Sequence, residues 1–279
     1  STVFKTLSIS GNNAKLYIET QASTAKGKGE TRLVARLLDA KGKAVAQKNL
    51  TTNTQGAASA QFDVANAKAW SPEQPHLYTL EINLYQGNKL VDRLRQRVGI
   101  RTIAVSKEHG FQLNGVSRKF KGVCLHHDLG PLGAAVNKAA IIRQIRLMKD
   151  MGVDAIRTSH NMPSQMQMQV CDSMGMMVMA ESFDAWKEAK VKNGYNLFYD
   201  TWWRKDLENL IRGHRNHPAI VMWSIGNEIP EQWNKDGAAR AKAMTQYCHE
   251  LDDTRPVTCG GDNPKANTEC GFFAALDVP

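Results

Sequence analysis

No stretch of this 279-residue chain comes near the roughly 18 consecutive apolar residues of a membrane-spanning helix, so no helical span and no membrane partner are expected. A basic stripe is missing too. The net charge is +9, yet lysines and arginines are scattered, and the densest group, Arg93, Arg95, Arg97 and Arg101, has the period of a strand facing solvent. Nucleic acid is therefore not an expected partner. The chain has no C-x-x-C pair and no H-E-x-x-H, which removes the usual sequence signs of thiolate or helix-borne metal sites. The five cysteines, Cys124, Cys171, Cys248, Cys259 and Cys270, are odd in number and lie in apolar segments, so they read as buried thiols rather than disulfides. Ser1-Thr2-Val3-Phe4 does not place a basic segment before an apolar one, so no signal peptide is expected in this numbering.

What remains is an ordinary globular composition, 42% apolar and 23% charged, long enough for two domains or one large α/β domain. Residues 1–103 read as all-β. Lys15–Thr20, Arg32–Leu38, Ala58–Val64 and Leu77–Tyr85 have strand character, with turns at Asp39-Ala40-Lys41-Gly42-Lys43 and Gln86-Gly87-Asn88-Lys89. About seven short strands separated by turn signals predict an immunoglobulin-like β-sandwich, one without the cysteine pair of antibody domains.

After Val98–Ile103 the period changes. Across 104–279, strands at Phe120–Leu125, Ala155–Thr158, Met176–Ala180, Ala219–Trp223 and Pro256–Cys259 alternate with helices at Asn137–Met151, Pro163–Met174, Tyr199–Arg215 and Lys235–Leu251. This is the signature of βαβ units around a parallel sheet, and it predicts the N-terminal part of a (β/α)8 TIM-type barrel. Ile141, Ile145 and Met148 give the first helix one apolar stripe, and Gly152 stops it. Met162, Met166, Met168, Met174, Met176, Met177 and Met179 read as core packing rather than a metal or cofactor site.

Ala219–Trp223 is an unbroken apolar run, expected of a strand covered on both faces, and it turns abruptly into Ser224, Gly226, Asn227 and Glu228. Chemistry in barrel enzymes sits at such C-terminal strand ends. Glu228 is accordingly the candidate catalytic group. Other strand ends carry His126, His127 and Asp128; Arg157, Ser159, His160 and Asn161; and Glu181 and Asp184. Each has a plainer reading: Arg157 as an ion-pair partner, either histidine as a hydrogen-bonded core residue, Glu228 as a surface carboxylate. Four strand ends that agree argue for a polar top face. His126 and His127 are neighbours on a strand and point to opposite faces, which disfavours a shared metal ion.

These runs also resemble a known family. Trp70-Ser71-Pro72-Glu73-Gln74-Pro75-His76-Leu77-Tyr78, Val98-Gly99-Ile100-Arg101, Leu113-Asn114-Gly115, Lys121–Asp128, Ile156–Asn161, Glu181-Ser182-Phe183-Asp184-Ala185-Trp186, Asn216-His217-Pro218 and Gly226-Asn227-Glu228 occur in the order found in glycoside hydrolase family two. The similarity is to its bacterial β-galactosidase-like members and covers nearly the whole chain. It implies a retaining exo-β-glycosidase that cleaves terminal β-linked sugars. Glu228 matches the general acid/base and Asn227 the residue that binds the sugar 2-hydroxyl. Arg157 and His160 match the subsite of the cleaved sugar, joined by His126 or His127, with Asp128, Glu181 and Asp184 as further candidates to line it. Glu228 would need burial and a neighbouring carboxylate to raise its pKa. The resemblance favours a periplasmic or secreted setting.

Two departures shape the expectations. The family's nucleophile is a glutamate at strand seven, and the stretch after residue 103 is shorter than the about 250 residues of a full barrel. Glu181 and Glu269 lie in no such context, so the chain is expected to be a middle fragment that carries the acid/base and lacks the nucleophile. Its open sheet edges would then be covered by further strands or by a second copy in a homo-oligomer. Some relatives use magnesium, but no acidic-x-His pair stands between strands three and four, and no cofactor is expected. The alternatives are β-glucuronidase or β-mannosidase specificity, or a non-catalytic carbohydrate-binding or scaffolding role.

Overall fold

The computed structural model describes residues 2–22, 31–53 and 56–279. Seven strands come first: β1 (Thr2–Ser10), β2 (Asn13–Gln21), β3 (Thr31–Leu38), β4 (Ala44–Leu50), β5 (Ala57–Val64), β6 (Tyr78–Gln86) and β7 (Lys89–Val98). They form two sheets ordered β1-β2-β5 and β4-β3-β6-β7, the sandwich that the sequence predicts. All the pairings are antiparallel. The period-2 pattern does the sorting. In β2, Ala14, Leu16, Ile18 and Thr20 are buried while Lys15 and Glu19 stay out. Together with Phe4, Leu37, Phe62, Leu80 and Val98, the first three make one core. Each of the large aliphatic and aromatic side chains among them contributes roughly 1.5–3 kcal/mol by leaving water.

The arginine row on β7 is not simply a solvated face. Glu81, on β6, is 1% exposed and accepts hydrogen bonds from Arg95 Nε at 2.7 Å, Arg36 NH1 at 3.2 Å and Asn83 Nδ2 at 2.9 Å. Arg93 Nε lies 3.8 Å from the oxygen that Arg95 holds. Burial raises the Glu81 pKa, but the hydrogen bonds from Asn83 and Arg95 and the charges of Arg95 and Arg93 outweigh it, leaving the carboxyl below its ordinary value. Arg101 departs from the solvent-facing reading altogether: it is buried, and its Nε donates to Pro218 O at 2.7 Å. Residues Leu113–Val116 and Arg215–Pro218 belong to the same compact unit as the sandwich. There the Asn216 side chain accepts from Phe4 N at 2.9 Å and donates to Thr2 O at 3.0 Å.

The second unit holds Ile103–Gln112, Ser117–His214 and Ala219–Pro279. A small three-stranded sheet of β8 (Ile103–Ser106), β9 (Gly110–Leu113) and β10 (Val116–Ser117) precedes the alternating region. Then come β11 (Gly122–His126), α1 (Lys138–Asp150), β12 (Ala155–Ser159), α2 (Gln165–Met174), β13 (Met177–Glu181), α3 (Tyr199–His214), β14 (Ile220–Asn227), α4 (Lys235–Leu251), β15 (Val257–Gly260) and the short α5 (Pro264–Glu269). The five strands pair in parallel and in chain order, which is a truncated barrel. The helices start where the caps are. Asn137, Ser164 and Asn234 accept from Ala140 N, Gln167 N and Gly237 N respectively. Gly175 ends α2 at φ 69°, a conformation that costs glycine nothing.

β14 is buried at every position, as the unbroken apolar run predicts, and it runs four residues further than the apolar stretch, through Asn227. Its first half is anchored below: Trp223 Nε1 donates to Asp252 Oδ2 at 2.9 Å, Arg255 NH1 meets the same oxygen at 2.6 Å, and Arg255 Nε donates to Ile220 O at 2.7 Å. Burial raises the Asp252 pKa, but the charge of Arg255 and the hydrogen bonds from Thr254 and Trp223 prevail and bring it down to about 2.

Three burial expectations fail, each at a place the core does not reach. Cys124 is exposed and Cys270 only half-buried, whereas Cys171, Cys248 and Cys259 are buried. Met162 is 46% exposed, standing on the loop before α2, while Met168, Met176 and Met177 fill the interior. Cys124 belongs to β11, an outer strand of the sheet. It lines an open hollow of about 500 Å³ along the inner face of the strands, with Phe120, Arg157, Met179 and Met222.

Candidate active site

Parallel register brings the strand ends level. His126 pairs with Ser159, Glu181 with Ser224, and Asn227 with Gly260, so the polar residues after each apolar run gather at one edge of the sheet. At their centre lies Glu181, 0% exposed. One oxygen accepts from Arg157 Nε at 2.8 Å and from the Ser224 hydroxyl, with Arg157 NH2 at 2.7 Å. The other lies 2.6 Å from His160 Nδ1. A charge removed from water this completely needs such partners on every side. Partial burial works against the charge of Arg157, but the carboxylate of Glu181 outweighs it and holds the guanidinium above its ordinary range.

From Arg157 the network passes to the neighbour of Glu228. Arg157 NH2 donates to Asn227 Oδ1 at 2.9 Å, and Asn227 Nδ2 donates to Asp184 Oδ1 at 3.2 Å. With its oxygen and its nitrogen both engaged, the Asn227 amide has one orientation. Lys190 Nζ closes the group, 3.0 Å from Asp184 Oδ1 and 2.6 Å from the Asn227 carbonyl oxygen. Burial raises the Asp184 pKa, yet the hydrogen bonds from Lys190 and Asn227 and the charges of Lys190 and His160 leave it below its ordinary value.

Glu228 follows directly. Its backbone N–H donates to Gly260 O at 2.7 Å, and its φ is 42°, an uncommon conformation for a residue with a Cβ. The expected burial of its carboxylate is not found: Glu228 is exposed, while Asn227 beside it is 7% exposed. The chain turns out of the sheet at this residue, so its side chain points away from the covered strand.

The remaining candidates divide into two groups. The His126 ring packs edge-on against that of His160, centroids 5.1 Å apart, and so borders the network. His127 and Asp128 do not join it. They line, with His126, a separate shallow pocket beside Gln144, Ser159, Asn161 and Gln167. The Asp128 carboxylate accepts from Gly130 N within its own loop. Among the described residues, no three His, Cys, Asp or Glu side chains are grouped to hold a metal ion.

Lys190 and Gly260 belong to this edge, and sequence reasoning did not single them out; Ser224 it marked only as the first polar residue after the apolar run. Lys190 sits in the loop nine positions past β13 and carries no local signal. Gly260 had one available sign, a glycine pair ending a strand. An added Cβ there would lie 2.6 Å from Arg157 NH2 and 3.2 Å from Asn227 Oδ1, so only glycine leaves room for that hydrogen bond.

Comparison with known proteins gives the chain a family. Residues 103–276 match the model described as glycosyl hydrolases family 2, TIM barrel domain, and residues 1–101 the model described as glycosyl hydrolases family 2. The chain belongs to glycosyl hydrolase family 2. It is 35% identical to a β-galactosidase of Bacteroides ovatus over 99% of its own length and 37% of that protein's. It is 38% identical to a putative β-glucuronidase of Formosa agariphila, covering 82% of this chain and 21% of that one. The crystal structure of a family 2 member from Bacteroides cellulosilyticus superposes with a TM-score of 0.94 at 36% identity, covering 99% of this chain and 36% of the other. The chain thus spans only about a third of the length of such relatives.

Proposed function

We propose that this chain carries the acid/base half of a retaining exo-β-glycosidase site acting on terminal β-galactosides. The observation that supports it best is the ordered sequence His160, Glu181, Arg157, Asn227, ending at an exposed Glu228 on the lip of a parallel-barrel strand. A retaining hydrolase needs two carboxyl groups about 5–5.5 Å apart, one to protonate the departing oxygen and one to bond the anomeric carbon. Glu228 takes the first role: it donates its proton to the glycosidic oxygen as the bond breaks, then removes one from the water that hydrolyses the glycosyl ester. Asn227, held by Arg157 and Asp184, presents its amide to the sugar 2-hydroxyl, and His126 and His160 line the same subsite.

Glu181 is unsuited to nucleophilic attack. Its oxygens are engaged by Arg157, Ser224 and His160 inside the protein, and it serves to orient Arg157. Glu269 is exposed on α5 and faces Lys265. We therefore place the nucleophile outside these 279 residues, in sequence that the longer relatives possess. The preference for a neutral sugar over a uronate rests on charge. Arg157 and Lys190, the cations of the described site, each already face a carboxylate.

The test is Glu228→Gln in the full-length enzyme, assayed on an activated aryl galactoside and on a disaccharide. Loss of acid catalysis costs on the order of 10²–10⁴-fold, and falls mainly on the disaccharide, whose leaving oxygen needs the proton. Equal losses on both substrates would remove Glu228 from this role, and turnover of a uronide in preference to a galactoside would overturn the sugar assignment.

A further inference from the structure

We infer that Lys190 is a positioning residue that aims the Glu228 carboxylate by clamping the peptide bond before it. The inference deepens the acid/base reading of Glu228 and rests on it. The Asn227–Glu228 peptide unit is planar, so its orientation is set once its two polar ends are held. Both are held. Its carbonyl oxygen accepts from Lys190 Nζ at 2.6 Å, and its N–H donates to Gly260 O at 2.7 Å. A trans peptide points these two groups in opposite directions, so the pair of bonds works as two pins on either side of one plate. With that plate fixed, the direction in which the Glu228 Cα–Cβ bond leaves it is set by the torsion about its own N–Cα bond, and that torsion is the unusual one, φ 42°. An L-residue pays for this region with a close approach of its Cβ to the backbone, so the conformation persists only where the surroundings impose it.

Lys190 suits this task better than a neutral donor would. Its hydrogen bond to the carbonyl is charge-assisted and short. Asp184 holds the ammonium in place, 3.0 Å away, and the same Asp184 oxygen receives the Asn227 side-chain amide at 3.2 Å. The lysine thereby ties the loop after β13 to both the side chain of the 2-hydroxyl ligand and the main chain leading into the acid/base. Its side chain is only 22% exposed, so water does not replace it readily. Nothing in Lys190 need touch the sugar for it to govern proton transfer.

The experiment uses Lys190→Met, which keeps length and loses the donor, and Lys190→Arg, which keeps charge, each alone and combined with Glu228→Gln in the full-length enzyme. Misplacing an acid by about 1 Å costs on the order of 100-fold, so Lys190→Met should lower kcat/KM on a β-galactosyl disaccharide by about 10–100-fold. On an activated nitrophenyl galactoside, which needs little protonation, the loss should stay within about threefold. Lys190→Arg should recover most of the disaccharide rate. In the Glu228→Gln background the Lys190→Met loss should vanish, because two residues acting as a unit are not additive. Equal losses on both substrates, or an undiminished loss beside Glu228→Gln, would overturn the inference and assign Lys190 to the sugar subsite or to folding. A crystal structure of the Lys190→Met protein separates this failure from failure of the acid/base reading. If Glu228 keeps its positive φ with the Asn227 carbonyl unmoved, Lys190 is no pin, whatever Glu228 does in catalysis; release of that peptide supports the clamp even if Glu228 proves to have another role.

Discussion

Two glutamates of this chain are withdrawn from water and paired with arginine, one in each unit, and they have different consequences. Glu81 sits mid-strand in the sandwich, where Arg36, Arg93, Arg95 and Asn83 converge on it. All three arginines lie on the antiparallel strands to either side, Arg36 on β3 and Arg93 and Arg95 on β7, and the network ends there. Glu181 sits at the last position of β13, with Arg157 from the neighbouring parallel strand and His160 from the loop beyond. Its network does not end. Arg157 hands it on to Asn227, and Asn227 to Asp184 and Lys190. Both begin from a buried glutamate paired with arginine. The difference is position along the strand: a buried ion pair in mid-strand can only hold a sheet together, while one at the C-terminal edge of a parallel sheet can orient groups that meet a substrate.

The comparison breaks most readily at the arginines. Arg157→Met leaves Glu181 buried without its main partner, and breaking such a pair costs about 3–5 kcal/mol. We expect a large drop in thermal stability of the barrel unit together with loss of turnover. Arg95→Met in the sandwich is expected to cost about 1 kcal/mol or less, because that arginine is 57% exposed and Arg36 remains with Glu81. Calorimetry with parallel activity assays checks both; an Arg95 variant as damaging as the Arg157 one would remove the distinction.

A smaller effect sharpens the same point without touching a charge. Gly260→Ala puts a methyl group 2.6 Å from Arg157 NH2, and overpacking of this kind costs roughly 1–3 kcal/mol. Here it forces apart the Arg157–Asn227 hydrogen bond, so we expect a disaccharide KM and kcat penalty larger than the stability loss alone explains. Unchanged kinetics would show that the Asn227 amide does not depend on Arg157.

The smallest effects concern acid. The folded pKa values of Glu81 and Asp252 are both depressed, so each contributes stability that is present above its unfolded value and lost as pH falls through the folded one. For Asp252, from 3.8 down to about 2, this is on the order of 2 kcal/mol, lost between about pH 4 and pH 2. Tryptophan fluorescence can follow the units separately, since Trp70 lies in the sandwich and Trp186, Trp202, Trp203, Trp223 and Trp233 in the other unit. Glu81→Gln should flatten the acid limb reported by Trp70 alone, and Asp252→Asn the limb reported by the rest. Coupled changes at both would show that the units do not unfold independently.

Much of the architecture was readable before the structure. Alternation in Ala58–Val64 and the unbroken run Ala219–Trp223 reported burial on one face and on two, because side-chain direction repeats with the backbone period. Asn227 and Glu228 stood out because polarity changes there within two residues. Arg101 misled, since an exposed period says nothing about a carbonyl placed opposite it by residues more than a hundred positions later. Cys124 misled because its strand lies at an edge, and edge position is a property of the whole sheet.

The division follows from the range of the forces involved. Strand and helix order, the sandwich, the parallel barrel strands and the polar residue at each strand end were determined by the sequence alone, because propensity, period and capping act over a few residues. Which of those polar residues meet was decided by tertiary structure. Arg157 and Asn227 stand 70 positions apart and touch only because parallel pairing sets their strands in register and Gly260 leaves the space between them. The same holds for Lys190, which no local pattern marks: a loop lysine becomes part of the site only when the fold returns it to the carbonyl of Asn227.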